Sequence, residues 1–299
     1  MMKEILEIKT VNDCGKCLGC RAEHPLACVF SLENPGIGRI PVKFDFFVVM
    51  LIEDCSEGCC CCGRKYYDFS DASMVFLRPG ELFRMTSGST LPGRGTILAF
   101  HPELLYRTTL DRHIGDYTFF GYRKEEALHL SMQEKMTVTK CLKNIEEEVC
   151  HTVDRHSSTL ISRHIELLLD YCSRFYERQF ITREEKNKKM IGLLDRMLDT
   201  AIDSGRAALL DLPSAGECAQ SLGLSEAYFK DLLKFETGKT YDEYCMAKRL
   251  EQAKEMLLHT DLSPEDVASH LGFRDIRQFS FIFRRLTGCA PEKYRLSRN

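Results

Sequence analysis

The stretch ECAQSLGLSEAYFKDLLKFETGKTYDEY, residues 217–244, is followed by a second stretch of the same pattern, DVASHLGFRDIRQFSFIFRRLTGCAPEKY, residues 266–294. Gly223 aligns with Gly272, and the apolar residues on either side of these glycines align as well. Each copy predicts a short helix, a tight turn at the glycine and a second helix. The pattern therefore favours two copies of a helix-turn-helix hairpin rather than an ordinary all-α bundle.

Residues at the ends of the second helix in each copy support this interpretation. Ser225 and Asp275 precede the two helices, and their side-chain oxygens suit the N-cap position. Gly238 and Gly288 follow the helices, at the position where a left-handed residue commonly ends a helix. Between the copies, residues 241–258 predict a long helix with an apolar face formed by Tyr244, Ala247, Leu250, Ala253 and Leu257.

The pattern of apolar residues changes near residue 125, from short strand-like runs to longer segments with helical spacing. Earlier apolar runs such as KFDFFVVMLIED (43–54) and GTILAF (95–100) are short, β-branched or aromatic, and separated by turn residues, which predicts strands of a sheet or barrel. The later segments EEALHLSMQEKMTVTKCLKNIEEEVC (125–150) and STLISRHIELLLDYCSRFYERQF (158–180) have helical spacing. A further helix is predicted from about Lys189 to Ile202.

The predicted helix at 158–180 has one apolar face, formed by Leu160, Ile161, Ile165, Leu168, Leu169 and Cys172. An apolar face of this kind needs a partner. It either joins two copies of the chain or packs on the strand-rich front part, and the sequence favours neither.

Composition is that of an ordinary globular protein. The 299 residues are 44% hydrophobic and 28% charged, enough for two domains. No apolar run approaches the roughly 18 residues that span a bilayer, and the charged start MMKEILEIKT does not fit a signal peptide. We therefore expect a cytoplasmic protein without a membrane partner. The net charge of −3 gives no general sign of nucleic-acid binding.

About a hundred C-terminal residues resemble the DNA-binding domain of the AraC family of bacterial transcription regulators. The resemblance rests on the F…TG that ends the first hairpin, on RLEQAKEML (249–257), on VASHLGF (267–273) and on FIFRRLTGCAPEKYR (281–295). Upstream, EALHLS and RFYERQFITR look like the linker of a branch common in Bacteroidetes. In that branch a cupin-like domain precedes the helices, and GRKYYDFS and FLRPGE resemble its strand segments.

The resemblance implies an α+β chain in three parts. A strand-rich, cupin-like sensory domain would occupy residues 1–124, and a helical linker or dimerisation region residues 125–184. Residues 185–299 would form an all-α DNA-binding domain with two helix-turn-helix motifs.

The resemblance also implies that each hairpin lays its second helix, residues 226–235 and 276–286, into successive major grooves. Matched by position, the base-reading residues are Ala227, Lys230, Asp231, Ile276, Arg277 and Phe281. The core-facing residues are Phe229, Leu232, Leu233, Phe279, Ile282 and Phe283. Family members often carry polar or basic residues where this chain has Asp231 and Phe281, so we expect Arg277 and Lys230 to carry most of the base readout. The alternative for Lys230, Asp231 and Glu226 is that they are solvated surface charges.

Charge around the second reading helix supports DNA binding. From Arg274 onward there are seven basic residues and two acidic ones, whereas residues 185–299 as a whole are balanced at 18 of each. The expected phosphate contacts are Lys234, Arg284, Arg285, Lys293, Arg295 and Arg298. Their neutralisation of phosphates would make affinity fall with salt.

The 15 cysteines are the main competing signal. Two residues separate Cys14 from Cys17 and Cys17 from Cys20, and Cys28 follows eight positions later. This set could hold zinc or an iron–sulfur cluster. The other interpretation is that these are loop and strand residues that happen to be cysteine. The run GCCCCG (58–63) lies where the resemblance places a strand that leads into GRKYYDF. Adjacent side chains of a strand point to opposite faces, so these four thiols could not converge on one ion and no site is expected there.

The sequence therefore predicts a bacterial, sequence-specific transcription regulator that binds double-stranded DNA and is controlled by an unknown small-molecule effector. A homodimer is expected, RNA polymerase is a candidate partner, and neither a cofactor nor a metal is expected. It is not expected to be an enzyme, since no phosphate loop, nucleophile elbow, His-Glu-x-x-His or His-x-His motif is present. The alternative is a thiol- or metal-dependent sensor or methyl-transfer protein that uses the N-terminal cysteines.

Overall fold

The computed structural model describes residues 5–32, 41–53, 68–69, 71–83, 94–204 and 212–296. The chain divides into two compact units, Met1–Arg183 and Glu184–Asn299. All the described strands lie in the first unit, and the second unit is built from helices. The expected combination of a strand-containing front part and a helical C-terminal part is confirmed. The division into three domains at residues 124 and 184 stays a prediction.

Strands of the first unit form two sheets. The strands are β1 (Leu6–Ile8), β2 (Ala27–Ser31), β3 (Val42–Phe44), β4 (Phe47–Ile52), β5 (Ala72–Leu77), β6 (Leu82–Phe83), β7 (Gly95–Phe100) and β8 (Leu128–Leu130). The larger sheet has the order β2-β7-β4-β5-β8 with antiparallel neighbours, and the smaller has the order β1-β3-β6 with β1 parallel to β3. A cupin-like arrangement of these strands stays a prediction.

The central strands are buried on both faces. In β4, Val48, Met50 and Ile52 lie in one core cluster, while the alternate residues Val49 and Leu51 are equally buried on the opposite side. Successive side chains of a strand point to opposite faces, so this pattern means that both faces of the sheet are covered. The continuous apolar run of β4 is therefore explained by double burial rather than by a half-exposed strand.

The helices of the first unit pack against its strands and against one another. They are α1 (Val11–Cys17), α2 (Pro102–Leu105), α3 (Thr109–His113), α4 (Met132–Val149) and α5 (Ser157–Thr182). The long helix α5 packs against α4 and β8, and the thiol of its Cys172 lies 3.8 Å from the sulfur of Met74 in β5.

The predicted continuous helix from residue 125 is wrong at its start. Leu128–Leu130 form strand β8, which pairs with β5 at the edge of the larger sheet. Helix α4 begins only after Ser131, whose hydroxyl accepts from the backbone N–H of Glu134 while the Glu134 carboxylate accepts from the backbone N–H of Ser131. This reciprocal cap fixes the helix start, and the short strand before it is held by burial.

The predicted apolar face of α5 finds its partner within the same unit. Ile161, Ile165, Leu168, Leu169 and Cys172 are all buried. Leu160 is the exception, because 43% of its surface stays exposed. Of the two alternatives for this face, packing on the front part is confirmed.

A buried ion pair joins the end of α5 to the segment before β5. The Arg183 guanidinium donates through Nε to Asp68 Oδ1 at 3.0 Å and through Nη2 to Asp68 Oδ2 at 2.7 Å. His129 of β8 lies beside the pair, with Nε2 3.9 Å from Asp68 Oδ2. Both charged side chains are almost fully buried, so each depends on the other for compensation.

Helices of the second unit are α6 (Glu184–Asp203), α7 (Ala215–Ser221), α8 (Glu226–Thr237), α9 (Tyr241–His259), α10 (Pro264–His270), α11 (Ile276–Thr287) and α12 (Pro291–Leu296). Helix α6 begins five residues earlier than the predicted Lys189. Its Asp195 accepts from the Tyr244 hydroxyl at 2.7 Å and from Lys248 Nζ at 3.0 Å, which ties α6 to α9. None of the described helices combines the length and the apolar character needed to cross a membrane.

Candidate nucleic-acid interface

The two hairpins of the second unit repeat one another in backbone detail. In the first, α7 and α8 are joined at Gly223, with φ +70°, and in the second, α10 and α11 are joined at Gly272, with φ +73°. Just after each glycine the backbone N–H returns to the first helix, from Leu224 to the Ala219 carbonyl at 2.9 Å and from Phe273 to the Ala268 carbonyl at 3.0 Å. The predicted duplicated helix-turn-helix is confirmed.

Caps at both ends of α8 and α11 match the expectations. The Ser225 hydroxyl accepts from the backbone N–H of Tyr228, and the Asp275 carboxylate accepts from that of Gln278. Gly238 and Gly288 end the helices in the left-handed region, with φ of +69° and +82°. Each cap satisfies backbone groups that the helix itself leaves unpaired.

One side of each second helix is buried in the hairpin core. Phe229, Leu232 and Leu233 of α8 are buried, as are Phe279 and Phe283 of α11, while Ile282 is half-buried against the same cluster. The predicted core-facing positions are confirmed with that one difference. The opposite sides of α8 and α11 remain open to solvent.

On α8 the three predicted reading residues have unlike surroundings. Ala227 and Asp231 are half-buried, and Lys230 is exposed. The Lys230 ammonium lies 2.5 Å from Glu226 Oε1, one turn earlier on the same helix. Lys234 is exposed one turn further on, along the wall of a cleft of about 630 Å³ between α8 and α9.

On α11 the predicted reading residues include an exposed arginine and an exposed aromatic ring. Arg277 is exposed in the first turn, and Phe281 leaves 68% of its surface open one turn later. Ile276 is half-buried and packs against the hairpin core. The geometry therefore presents Arg277 and Phe281 on one outward face, with Ile276 at its edge.

The predicted phosphate-contact residues fall into three groups. Arg284, Arg285 and Lys293 are exposed, and within the described residues neither Arg284 nor Arg285 forms an ion pair. The Arg295 guanidinium instead donates to the backbone carbonyls of Leu257 and Leu262, which ties α12 to the end of α9. Arg298 lies outside the described residues.

The described N-terminal cysteines lie on different elements of the first unit. Cys14 and Cys17 lie on helix α1 rather than in a loop, and Cys28 lies in β2. Burial raises the pKa of the Cys14 thiol to about 12, which keeps it protonated, and burial also raises the pKa of Cys28. Among the described residues no group of three or more potential ligands could hold a metal ion. The run Cys59–Cys62 lies outside them.

Three comparisons bear on this fold. A family model described as a helix-turn-helix domain matches residues 218–297. The transcriptional regulatory protein YesN of Bacillus subtilis is 36% identical over 76 residues, which are 25% of this chain and 21% of YesN. A protein named "Probable transcriptional regulator LumQ" from Photobacterium leiognathi is 26% identical over 237 residues, 78% of this chain and 85% of LumQ. The chain thus spans about a fifth of the length of YesN but most of LumQ.

Among solved structures, a transcriptional regulator with an AraC-type DNA-binding domain from Chromobacterium violaceum is 24% identical. The match covers 34% of this chain and 92% of that one, with a TM-score of 0.30. The described part of the matched span, residues 218–296, forms a tandem helix-turn-helix domain, the class that the two capped hairpins define. More specifically, this domain belongs to the AraC type.

Proposed function

We propose that the protein is a sequence-specific transcription regulator whose helices 226–235 and 276–286, in α8 and α11, read two successive major grooves. The observation that carries this proposal is the outward face of α11, where Arg277, Arg284 and Arg285 stand exposed beside the aromatic ring of Phe281. A helix of this kind fits the major groove, and arginine can pair with both acceptors of a guanine.

The positions of the side chains indicate which residues would contact bases and which would contact phosphates. Arg277 lies in the first turn of α11, the part of a recognition helix that reaches base edges, whereas Arg284 and Arg285 lie in its last turn. The last-turn arginines, with Lys293, would contact phosphates and set the register of the helix on DNA. Lys230 and Asp231 would read bases from α8, and Arg295 would position α12.

Residues 1–124 would act as a cupin-like sensory domain for a small-molecule effector. RNA polymerase would be the partner through which the DNA-bound protein acts on transcription. The match to LumQ supports a regulator of this overall length, since it extends across 78% of the chain. A homodimer would form through α5, which exposes Leu160 and Leu167 seven residues apart. Such a protein acts on DNA in the bacterial cytoplasm and needs no catalytic group.

Selection of binding sites from random duplex DNA with the full chain, at two salt concentrations, tests the proposal. The expected product is a pair of short motifs about one helical turn apart, one for each hairpin, with affinity that falls as salt rises. Absence of enrichment at both salt concentrations, with and without a cell extract as a source of effector, would contradict DNA reading by these helices.

A matched pair of variants separates base reading from phosphate binding. Arg277→Ala should weaken binding to the selected site by about 1–3 kcal/mol and relax the preference at one base pair. Arg285→Ala, on the same helix, should weaken selected and random DNA alike and flatten the salt dependence by about one phosphate. Equal losses on both kinds of DNA for Arg277→Ala would remove this residue from the base-reading set.

A further inference from the structure

The two reading helices carry opposite net charges. Helix α8 contains Glu226, Asp231 and Glu236 against Lys230 and Lys234, a net charge of −1. Helix α11 contains no acidic residue, and its three arginines give a net charge of +3. Two hairpins with the same backbone therefore present very different electrostatic surfaces to a polyanion.

Aligning the hairpins at Phe229 and Phe279 shows where the difference arises. Ala227 corresponds to Arg277, and Phe235 corresponds to Arg285. The first hairpin thus lacks both of these outward arginines. Glu226 corresponds to the uncharged Ile276, so the acidic group at the start of α8 has no counterpart in α11.

The Glu226 carboxylate lies between Lys230 and Gly216. Its Oε1 lies 2.5 Å from the Lys230 ammonium. Its Oε2 lies over Gly216 in the first turn of α7, so close that a Cβ added at Gly216 would be 3.1 Å from it. The second hairpin has Glu265 in the place of Gly216 and Ile276 in that of Glu226, so this packing belongs to the first hairpin only.

The pairing has a direct consequence for DNA binding. Lys230 is the only cation among the predicted base-reading residues of α8, and its charge is already compensated by Glu226. Contact with a phosphate would require the ammonium to leave the carboxylate, whose negative charge would then remain unpaired near the DNA backbone. On α8 this leaves Lys234 for sequence-independent contacts, whereas α11 offers both Arg284 and Arg285, so the first hairpin gains less affinity of this kind than the second.

We propose that Glu226 is a specificity-determining residue, which weakens the attachment of the first hairpin to non-cognate DNA by holding Lys230 in an ion pair. The second hairpin supplies most of the sequence-independent affinity, and the first engages fully only where base contacts offset the repulsion of its carboxylate. This inference rests on the proposed DNA-binding function.

The test compares full-length wild-type protein with Glu226→Gln and with the control Glu265→Gln, which removes an exposed carboxylate from the first turn of α10. The probe is a fluorescent pool of random-sequence duplexes of about three helical turns, enough for both grooves. Binding is followed by anisotropy between about 50 and 200 mM KCl.

Glu226→Gln should bind the random pool about three- to tenfold more tightly at the lowest salt. The plot of log affinity against log salt should become steeper by about 0.9, the value for one additional phosphate. Glu265→Gln should leave both quantities unchanged. The double variant Glu226→Gln/Lys230→Met should lose the gain, because the released ammonium is what produces it.

The outcomes are distinguishable. An equal gain in Glu226→Gln and Glu265→Gln, or no change in either, overturns the inference and leaves DNA binding intact. Retention of the gain in the double variant also overturns it. If the wild-type protein binds no duplex at any salt, the proposed function fails and the inference fails with it. Misfolding cannot imitate the expected result, because it would weaken binding.

Discussion

Cys14 and Cys20 are close in sequence, yet their thiols have different surroundings. Cys14 is buried in α1 against the core of the first unit, and this burial raises its pKa to about 12. Cys20 is exposed after the end of the helix. Because the thiolate is the reactive form of cysteine, the two residues should differ strongly in reactivity.

We expect iodoacetamide at neutral pH to modify Cys20 rapidly in the native protein and to leave Cys14 unmodified. Peptide mass spectrometry after a time course measures both, and the denatured protein provides the control in which both react. Rapid modification of native Cys14 would mean that this thiol is exposed or activated, and it would restore the thiol-dependent alternative.

Some contacts of single side chains could be predicted from the sequence, and others could not. The pair formed by Glu226 and Lys230 could have been found from sequence, since residues four apart on a helix face one another. The role of Arg295 could not, because it depends on two carbonyls that lie more than 30 residues earlier in the chain. Its neighbours Arg284 and Arg285 look the same in sequence but point to solvent.

Helices α8 and α11 begin and end where the sequence predicts, because their ends are fixed by local chemistry. A side-chain oxygen at the N-cap and a left-handed glycine at the C-terminus act within a few residues. Strand β8 was predicted wrongly for the opposite reason. Three residues, LHL, are too few to show a period, and their pairing with β5 joins residues more than 50 positions apart.

Glycine substitutions test the cap geometry of α8. Gly238→Ala should destabilise the second unit by about 1 kcal/mol, because a Cβ is strained at φ +69° even though nothing lies within 4 Å of it. Gly192→Ala is the matched control, since Gly192 lies inside α6 with equally open space. It should stabilise by about 0.5–1 kcal/mol.

Urea denaturation of each variant measures both changes. Opposite signs for the two substitutions are expected, because only the backbone conformation differs between the two open sites. A destabilisation of the same size at both positions would show that the left-handed conformation of Gly238 is not what ends α8.

Over the whole chain, more of the second unit than of the first could be predicted from the sequence. The second unit is a repeat of local hairpins, so the two copies support each other's interpretation. The first unit depends on pairings between distant strands, such as β4 with β7, and neither sheet order nor parallel pairing is encoded locally. The apolar face of α5 had two candidate partners, and only the structure shows that it packs within the first unit, against α4, β8 and Met74 of β5.

Besides its buried apolar face, helix α5 has a second apolar strip that faces solvent. Leu160 and Leu167 are 43% and 45% exposed and lie seven residues apart, with the half-buried His164 and Tyr171 on the same side of the helix. A seven-residue apolar repeat is the pattern by which two helices pair. The proposed homodimer would bury this strip against the same strip of a second copy, as a two-fold axis requires.

Leu167→Asp should therefore convert a dimer into a monomer, because the interface would have to bury an uncompensated carboxylate. Leu193→Asp is the matched control, since Leu193 is 48% exposed on α6. Sedimentation equilibrium gives the mass of each full-length variant, and a melting curve checks that the fold is retained. A monomeric wild-type protein, or equal dissociation by both substitutions, would show that α5 is not the dimer interface.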